Sequence, residues 1–253
     1  MNKTAKRRAL ILEELDKIGQ VNVAELSEIL SVSEVTIRND LANLEKNNLL
    51  IRAHGGAFKT NNLVLTVNEK KKINLDAKRL IGKTAASLIH EDESIILDSG
   101  STTIEISNNI SHFKRLSVIT NALDIVNNLA NNKNIELLML GGYLKDFSMS
   151  LVGPIAEQNL RQMHCNKFFL GIDGINQKTG VFTHYMEEAH LNQIMIEISE
   201  EVIVVADSTK LKKRGHALIC GFDKIHKFIT DDKIEKSDRE MLENYNIEVI
   251  IAK

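Results

Sequence analysis

From residue 94 onward, short apolar runs alternate with stretches of helical character, and that alternation restricts the chain to few folds. Seven runs read as strands: Ser94–Leu97, Leu116–Ile119, Ile135–Leu140, Lys167–Ile172, Val202–Ala206, Lys227–Thr230 and Glu248–Ile251. Residues 103–110, 122–131, 154–163, 186–199 and 233–244 have helical spacing. Strands alternating with helices build βαβ units and a mostly parallel sheet. A helix capped by Asp76, with Ala77, Leu80, Ile81, Ala85 and Leu88 on one face, opens this half. The class is α/β, Rossmann-like. Open parallel sheets bind ligands beyond the carboxyl ends of their strands, so the loops after the runs are where chemistry is expected.

The first 58 residues follow another pattern. Leu10, Ile11, Leu15 and Ile18 mark a helix over 5–18 that stops at Gly19. Asn22, with Glu25 three residues on, resembles a capping box and opens a short second helix. After Ser31-Val32-Ser33, Ser33 is a good N-cap for a third helix, whose Ile37, Leu41 and Leu44 fall within about 60° of one face. Leu49–Ala53 and Ala57-Phe58 read as strands around His54-Gly55-Gly56. Three helices and a glycine-tipped hairpin make a winged helix-turn-helix, which offers its third helix to the major groove.

That helix would present Val35, Asn39 and Lys46, flanked by Ser33, Thr36, Arg38 and Asn43. Asn pairs bidentately with adenine, Val or Thr touches a thymine methyl, and Arg holds phosphate or guanine. Arg52 and His54 in the wing would reach flanking phosphates, with Lys6, Arg7 and Arg8 adding charge attraction from an arm that lacks acids. The competing reading is a small helical adaptor for another protein. The net charge of −2 excludes sequence-blind coating of DNA, but it averages unlike halves. Residues 1–60 hold nine basic and eight acidic side chains, and the remainder 23 and 26.

In the second half, Ser94–Leu97 runs into Asp98-Ser99-Gly100-Ser101-Thr102-Thr103 and then a helix, an arrangement that suits an anion. It is neither a Walker loop nor a dinucleotide fingerprint, so no nucleotide cofactor is expected. Four more stations fall at strand ends: Thr120-Asn121, Gly141-Gly142, Asp173-Gly174 and Asp207-Ser208-Thr209-Lys210. Sharing one crevice, they would give Asp98 and Asp173 to sugar hydroxyls and Lys210 to a phosphate. Cys165 and Cys220 stand alone, and His184 and His190 fit no zinc spacing, so neither a disulfide framework nor a metal is expected. No apolar run nears the roughly 18 residues that span a bilayer, and the N-terminus lacks a signal-peptide core. The expected location is the cytoplasm.

Val35-Thr36-Ile37-Arg38-Asn39-Asp40-Leu41, then Leu44-Glu45, then Arg52-Ala53-His54-Gly55-Gly56 resemble the DeoR family of bacterial repressors. Asp98-Ser99-Gly100-Ser101-Thr102, Thr120-Asn121, Gly141-Gly142, Leu170–Gly174, Glu188-Ala189 and Ala206–Lys210 resemble its effector domain. The resemblance implies a DNA-reading domain over 1–58, a linker over 59–74 and an effector domain over 75–253, similar in fold to ribose-5-phosphate isomerase and glucosamine-phosphate deaminase. It implies a homo-oligomeric repressor of sugar or amino-sugar catabolism, released from operator DNA by a phosphorylated sugar. Where the family often places Lys-Arg after its Glu-Ala motif, this chain has Asn192-Gln193, so anion binding would fall to Lys210, Arg214 or backbone groups. The alternative is a sugar-phosphate isomerase or deaminase with an accessory DNA-binding domain. Such an enzyme needs paired proton-transfer groups, and Asp173-Gly174 is followed by Ile175-Asn176 where the isomerase pattern places Ala-Asp-Glu.

Overall fold

A computed structural model describes residues 3–18, 20–46, 49–53, 55–58, 65–213 and 215–253. The chain forms two compact units that divide between Val64 and Leu65.

The first unit runs α1 (Lys3–Ile18), β1 (Gln20–Asn22), α2 (Val23–Ile29), α3 (Glu34–Lys46), β2 (Ile51–Ala53) and β3 (Gly56–Phe58). Its core joins Ile11 and Leu15 of α1, Val23 and Leu26 of α2, and the expected stripe Ile37, Leu41 and Leu44 of α3. Asn22 caps α2 by accepting from the Ala24 amide at 2.8 Å, and Ser33 Oγ accepts from the Thr36 amide at 3.3 Å. Ser31, at φ 51°, supplies the turn between α2 and α3. The wing has an unexpected third strand, because β1 pairs antiparallel with β3 in the order β1-β3-β2. Three residues are too few to display alternation in sequence.

The second unit begins with α4 (Val67–Lys70) and α5 (Leu75–Ala86). The sheet then builds through β4 (Ser94–Leu97), α6 (Thr103–Ser107), β5 (Leu116–Thr120), α7 (Leu123–Leu129) and β6 (Ile135–Met139). A hairpin of β7 (Tyr143–Lys145) and β8 (Ser150–Val152) leads to α8 (Pro154–Leu160) and β9 (Cys165–Gly171). There follow β10 (Gly174–Asn176), β11 (Gly180–Thr183), α9 (Met186–Glu197), β12 (Ser199–Val205) and β13 (Ala217–Cys220). The unit ends with β14 (Lys227–Thr230), α10 (Lys236–Asn244) and β15 (Glu248–Ile251).

All seven expected strands join one sheet in the order β15-β14-β12-β9-β4-β5-β6, and every pairing in it is parallel. The central strands are buried on both faces. Ile96, Phe168, Leu170 and Val204 enter one core cluster, and Ile95, Leu97, Phe169 and Val205 the other. From β4 the chain builds outward through β5 and β6, then returns to β9 on the opposite side of β4. The topological switch point therefore lies between β4 and β9, where crevices form in such sheets. The hairpin β7-β8 and the antiparallel sheet β10-β11-β13 were not expected.

Two expectations are corrected here. The segment read as a linker folds from Leu65 onward as part of the second unit. Val67 is buried, and Thr66 and Glu69 form a reciprocal capping box on α4. Asp76 does not cap α5; it sits in the first turn, and Asn74 at φ 53° is the N-cap. Among the described residues, no helix is long and apolar enough to cross a membrane.

Candidate functional site

In the first unit, α3 turns Ile37, Leu41 and Leu44 inward and leaves Val35, Arg38 and Asn39 exposed. Among the described residues Arg38 pairs with Glu34, one turn back at 2.6 Å, in an exposed pair that a nucleic acid can displace. Arg52 is exposed on β2 and Lys6 on α1. Ser33 and Thr36 are occupied with each other at the helix start, their hydroxyls 2.9 Å apart.

Arg7 and Arg8 do not hang free as an arm. Their guanidinium Nε atoms lie 2.5 and 2.8 Å from the two oxygens of Asp40, which is 2% exposed, and Arg8 also donates to Asn43 Oδ1 at 2.6 Å. Arg7, Arg8 and Asn43 therefore join α1 to α3 from its inner side. His54 and the side chain of Lys46 lie outside the described residues, as does Arg214.

In the second unit, a cleft of about 640 Å³, counting its open mouth, lies at the carboxyl ends of β4 and β9. Of the expected residues, Asp98, Ser99, Gly100, Ser101, Thr102, Asp173 and Lys210 line it. Asp98 bridges the switch point: Oδ1 accepts from the Ser99 amide at 2.7 Å and Oδ2 from the Gly171 amide at 3.2 Å. Burial pushes its carboxyl well above the usual range, and the nearby Glu188 adds to that. Glu188, on α9, is pushed up by burial and by Asp173, against the hydrogen bond it receives from Ser148.

Asp173 behaves oppositely. Burial alone would raise it, but the ammoniums of Lys70 at 2.7 Å and Lys210 at 3.2 Å hold it well below the usual range. Burial lowers Lys210, with Asp173 opposing. His184 Nε2 stands 3.8 Å from the same carboxylate, and burial lowers that imidazole too. Thr183 Oγ1 lies 3.3 Å from both Asp173 Oδ2 and Glu188 Oε2. A hydroxyl has one proton, so Thr183 can give it to only one of the two carboxyls at a time.

Other expected contacts lie elsewhere. Thr103 is fully buried and donates to the carbonyls of Asp98 and Gly100, bracing the loop from behind. Its helix α6 has five residues, too short for a strong dipole, so the cleft's positive charge comes from the lysines. Asn121 is buried off the cleft, and its carbonyl accepts from the Leu151 amide. Gly141 and Gly142 have φ of 74° and 113°, and a Cβ on Gly142 would collide with the Val152 carbonyl. They allow the close approach of β7 and β8. Asp207 accepts from Asn74 at 2.9 Å and leaves only Lys210 of its station on the cleft wall.

Lys70, Thr183, Glu188 and Asn192 line the cleft without having been expected there. Glu188 and Asn192 are four apart, one turn of α9, a spacing that was readable. Lys70 gave no signal in a polar stretch. Phe147 and Tyr185 stack at 3.7 Å beside the mouth. Among the described residues, no group of three His, Cys, Asp or Glu is placed to hold a metal.

Residues 7–62 match the DeoR-like helix-turn-helix domain and residues 73–232 the DeoR C terminal sensor domain. A protein of Escherichia coli O157:H7, provisionally named as the aga operon transcriptional repressor, is 39% identical, covering 98% of this chain and 94% of its own. The lactose phosphotransferase system repressor of Staphylococcus epidermidis is 32% identical over 93% of this chain and 94% of its own. These relatives are named as regulators of transcription, not as enzymes. Ribose 5 phosphate isomerase A of Neisseria gonorrhoeae aligns over 54% of this chain and 53% of its own at 17% identity, with a TM-score of 0.40, too low to carry an inference. Helix-turn-helix and sensor domain together place the chain in the DeoR family of transcriptional regulators.

Proposed function

We propose that the chain represses a sugar or amino-sugar catabolic operon in the cytoplasm and leaves its operator when a phosphorylated sugar enters the cleft. The carrying observation is that Lys70 and Lys210 share a single carboxylate, Asp173. Two ammoniums converge on that one carboxylate in a sheltered site, and charge-assisted hydrogen bonds to a phosphate would give them a second anionic partner. Ser99, Ser101 and Thr102 line the same cleft. Relatives named for the aga operon and for a lactose phosphotransferase system support a sugar as the rest of the ligand.

On the first unit, Val35, Arg38 and Asn39 are the residues we assign to the operator's major groove, with Arg52 and Lys6 toward phosphates. Paired half-sites require paired readers, so the working form is a homo-oligomer. The ligand must favour one state of the protein over the other, by about 1–3 kcal/mol for typical coupling. An operator gel shift with the native upstream DNA and a panel of sugar phosphates tests this reading. Release by at least one of them is expected; intact binding in the presence of all would overturn it.

A further inference from the structure

Asn192 stands out in the cleft wall. It is 3% exposed, and its Nδ2 donates to Asp98 Oδ2 at 3.5 Å, while its Oδ1 is buried with no hydrogen-bond partner. In that orientation Nδ2 faces a carboxyl oxygen that also accepts from the Gly171 amide. A buried acceptor left unpaired is unfavourable, and a ligand that donates to it recovers what was lost. The lysines at Asp173 satisfy an anion, and nothing about them distinguishes one phosphate from another. Asn192 offers the complementary chemistry, an acceptor that the phosphoryl oxygens of a sugar phosphate dianion, themselves acceptors, cannot use.

Resting on the reading of the cleft as a sugar-phosphate site, we propose that Asn192 is a specificity-determining residue: its Oδ1 accepts a hydrogen bond from a hydroxyl or ammonium group of the sugar, while the phosphate lies at Lys70 and Lys210. The cleft is thereby bipolar. One part selects for charge and the other for a donor on the carbon skeleton.

The test is calorimetric titration of the full-length protein with inorganic phosphate, glucose 6-phosphate and glucosamine 6-phosphate. The readout is the ratio of the phosphate dissociation constant to that of each sugar phosphate. In the wild type this ratio is expected to exceed one, and Asn192→Leu, which keeps the branched shape without the amide, is expected to lower it about tenfold for at least one sugar phosphate. Should Asn192→Leu fail to fold, Asn192→Ala gives the same readout. The larger wild-type ratio identifies the donor, ammonium for glucosamine 6-phosphate and hydroxyl for glucose 6-phosphate. A ratio of one in the wild type, or one that neither substitution changes, overturns the proposal and leaves the anion site standing. Absence of phosphate binding altogether overturns the underlying reading as well.

Discussion

Lys70 and Asp173 are separated by 103 residues in sequence, yet Nζ of one lies 2.7 Å from Oδ1 of the other. In the function proposed above, Asp173 stands where a ligand anion would lie and competes with it. Asp173→Asn removes the competitor and is expected to tighten inorganic phosphate binding several-fold, with operator release at lower sugar-phosphate concentration. Lys70→Met is expected to weaken both about tenfold. Titration calorimetry and gel shift read the two directions, and weaker phosphate binding by Asp173→Asn would contradict the competition.

Lys78 sets the position of Lys70. It is buried on α5, and its ammonium donates to the carbonyls of Lys70 and Ile73. Lys78→Met removes the side-chain donor from both carbonyls, of which that of Lys70 keeps the Ile73 amide, and is expected to destabilise the second unit by roughly 1–3 kcal/mol. Burial brings the Lys78 pKa down to about 8, with the Asp207 charge opposing. Between pH 8 and the ordinary lysine value of about 10.4 the unfolded chain holds more protons than the folded one, so stability from this group rises with pH. Denaturant melts of wild type and variant at pH 7.5 and 9.5 check this: the gap in favour of the wild type should widen at the higher pH.

The two kinds of arginine in the first unit should separate cleanly. Arg38→Ala and Asn39→Ala remove exposed groups, so stability should change by less than about 0.5 kcal/mol while operator binding weakens by about 1–3 kcal/mol. Arg8→Ala leaves buried Asp40 with Arg7 alone and should destabilise the unit by about 1–3 kcal/mol. Thermal melts beside operator titrations distinguish them. Unchanged operator binding in the Arg38 and Asn39 variants would remove α3 as the reader.

Gly142→Ala tests whether that glycine serves the fold or a ligand. With φ at 113° and the Val152 carbonyl in the path of a Cβ, the substitution should destabilise by about 1–3 kcal/mol. Phosphate affinity of the folded protein should be unaltered. An unchanged melting temperature with lost phosphate binding would return Gly142 to the ligand site.

The parallel sheet was legible because its central strands are covered on both faces, which writes them as continuous apolar runs such as Ile95-Ile96-Leu97 and Phe168-Phe169-Leu170. The inward face of α3 was legible for the related reason that one buried stripe has a helical period. Strands β1, β10, β11 and β13 were not, since three or four residues in a small antiparallel sheet leave no period to read. In the cleft, Asp98, Asp173 and Lys210 were found because each follows a sheet strand directly or within a few residues. Lys70 was missed because a lysine among polar neighbours looks solvated until the chain brings a carboxylate to it. The same blindness made Arg7 and Arg8 look free when Asp40 already holds them.

That clamp has a consequence in counter-ions. Each phosphate neutralised on duplex DNA releases about 0.9 of a condensed ion, and the release sets how steeply affinity falls with added salt. Asp40 subtracts one unit from the charge that the basic N-terminus brings to the duplex. The logarithmic salt slope should then be shallower by about one ion per protomer than a count of lysines and arginines suggests.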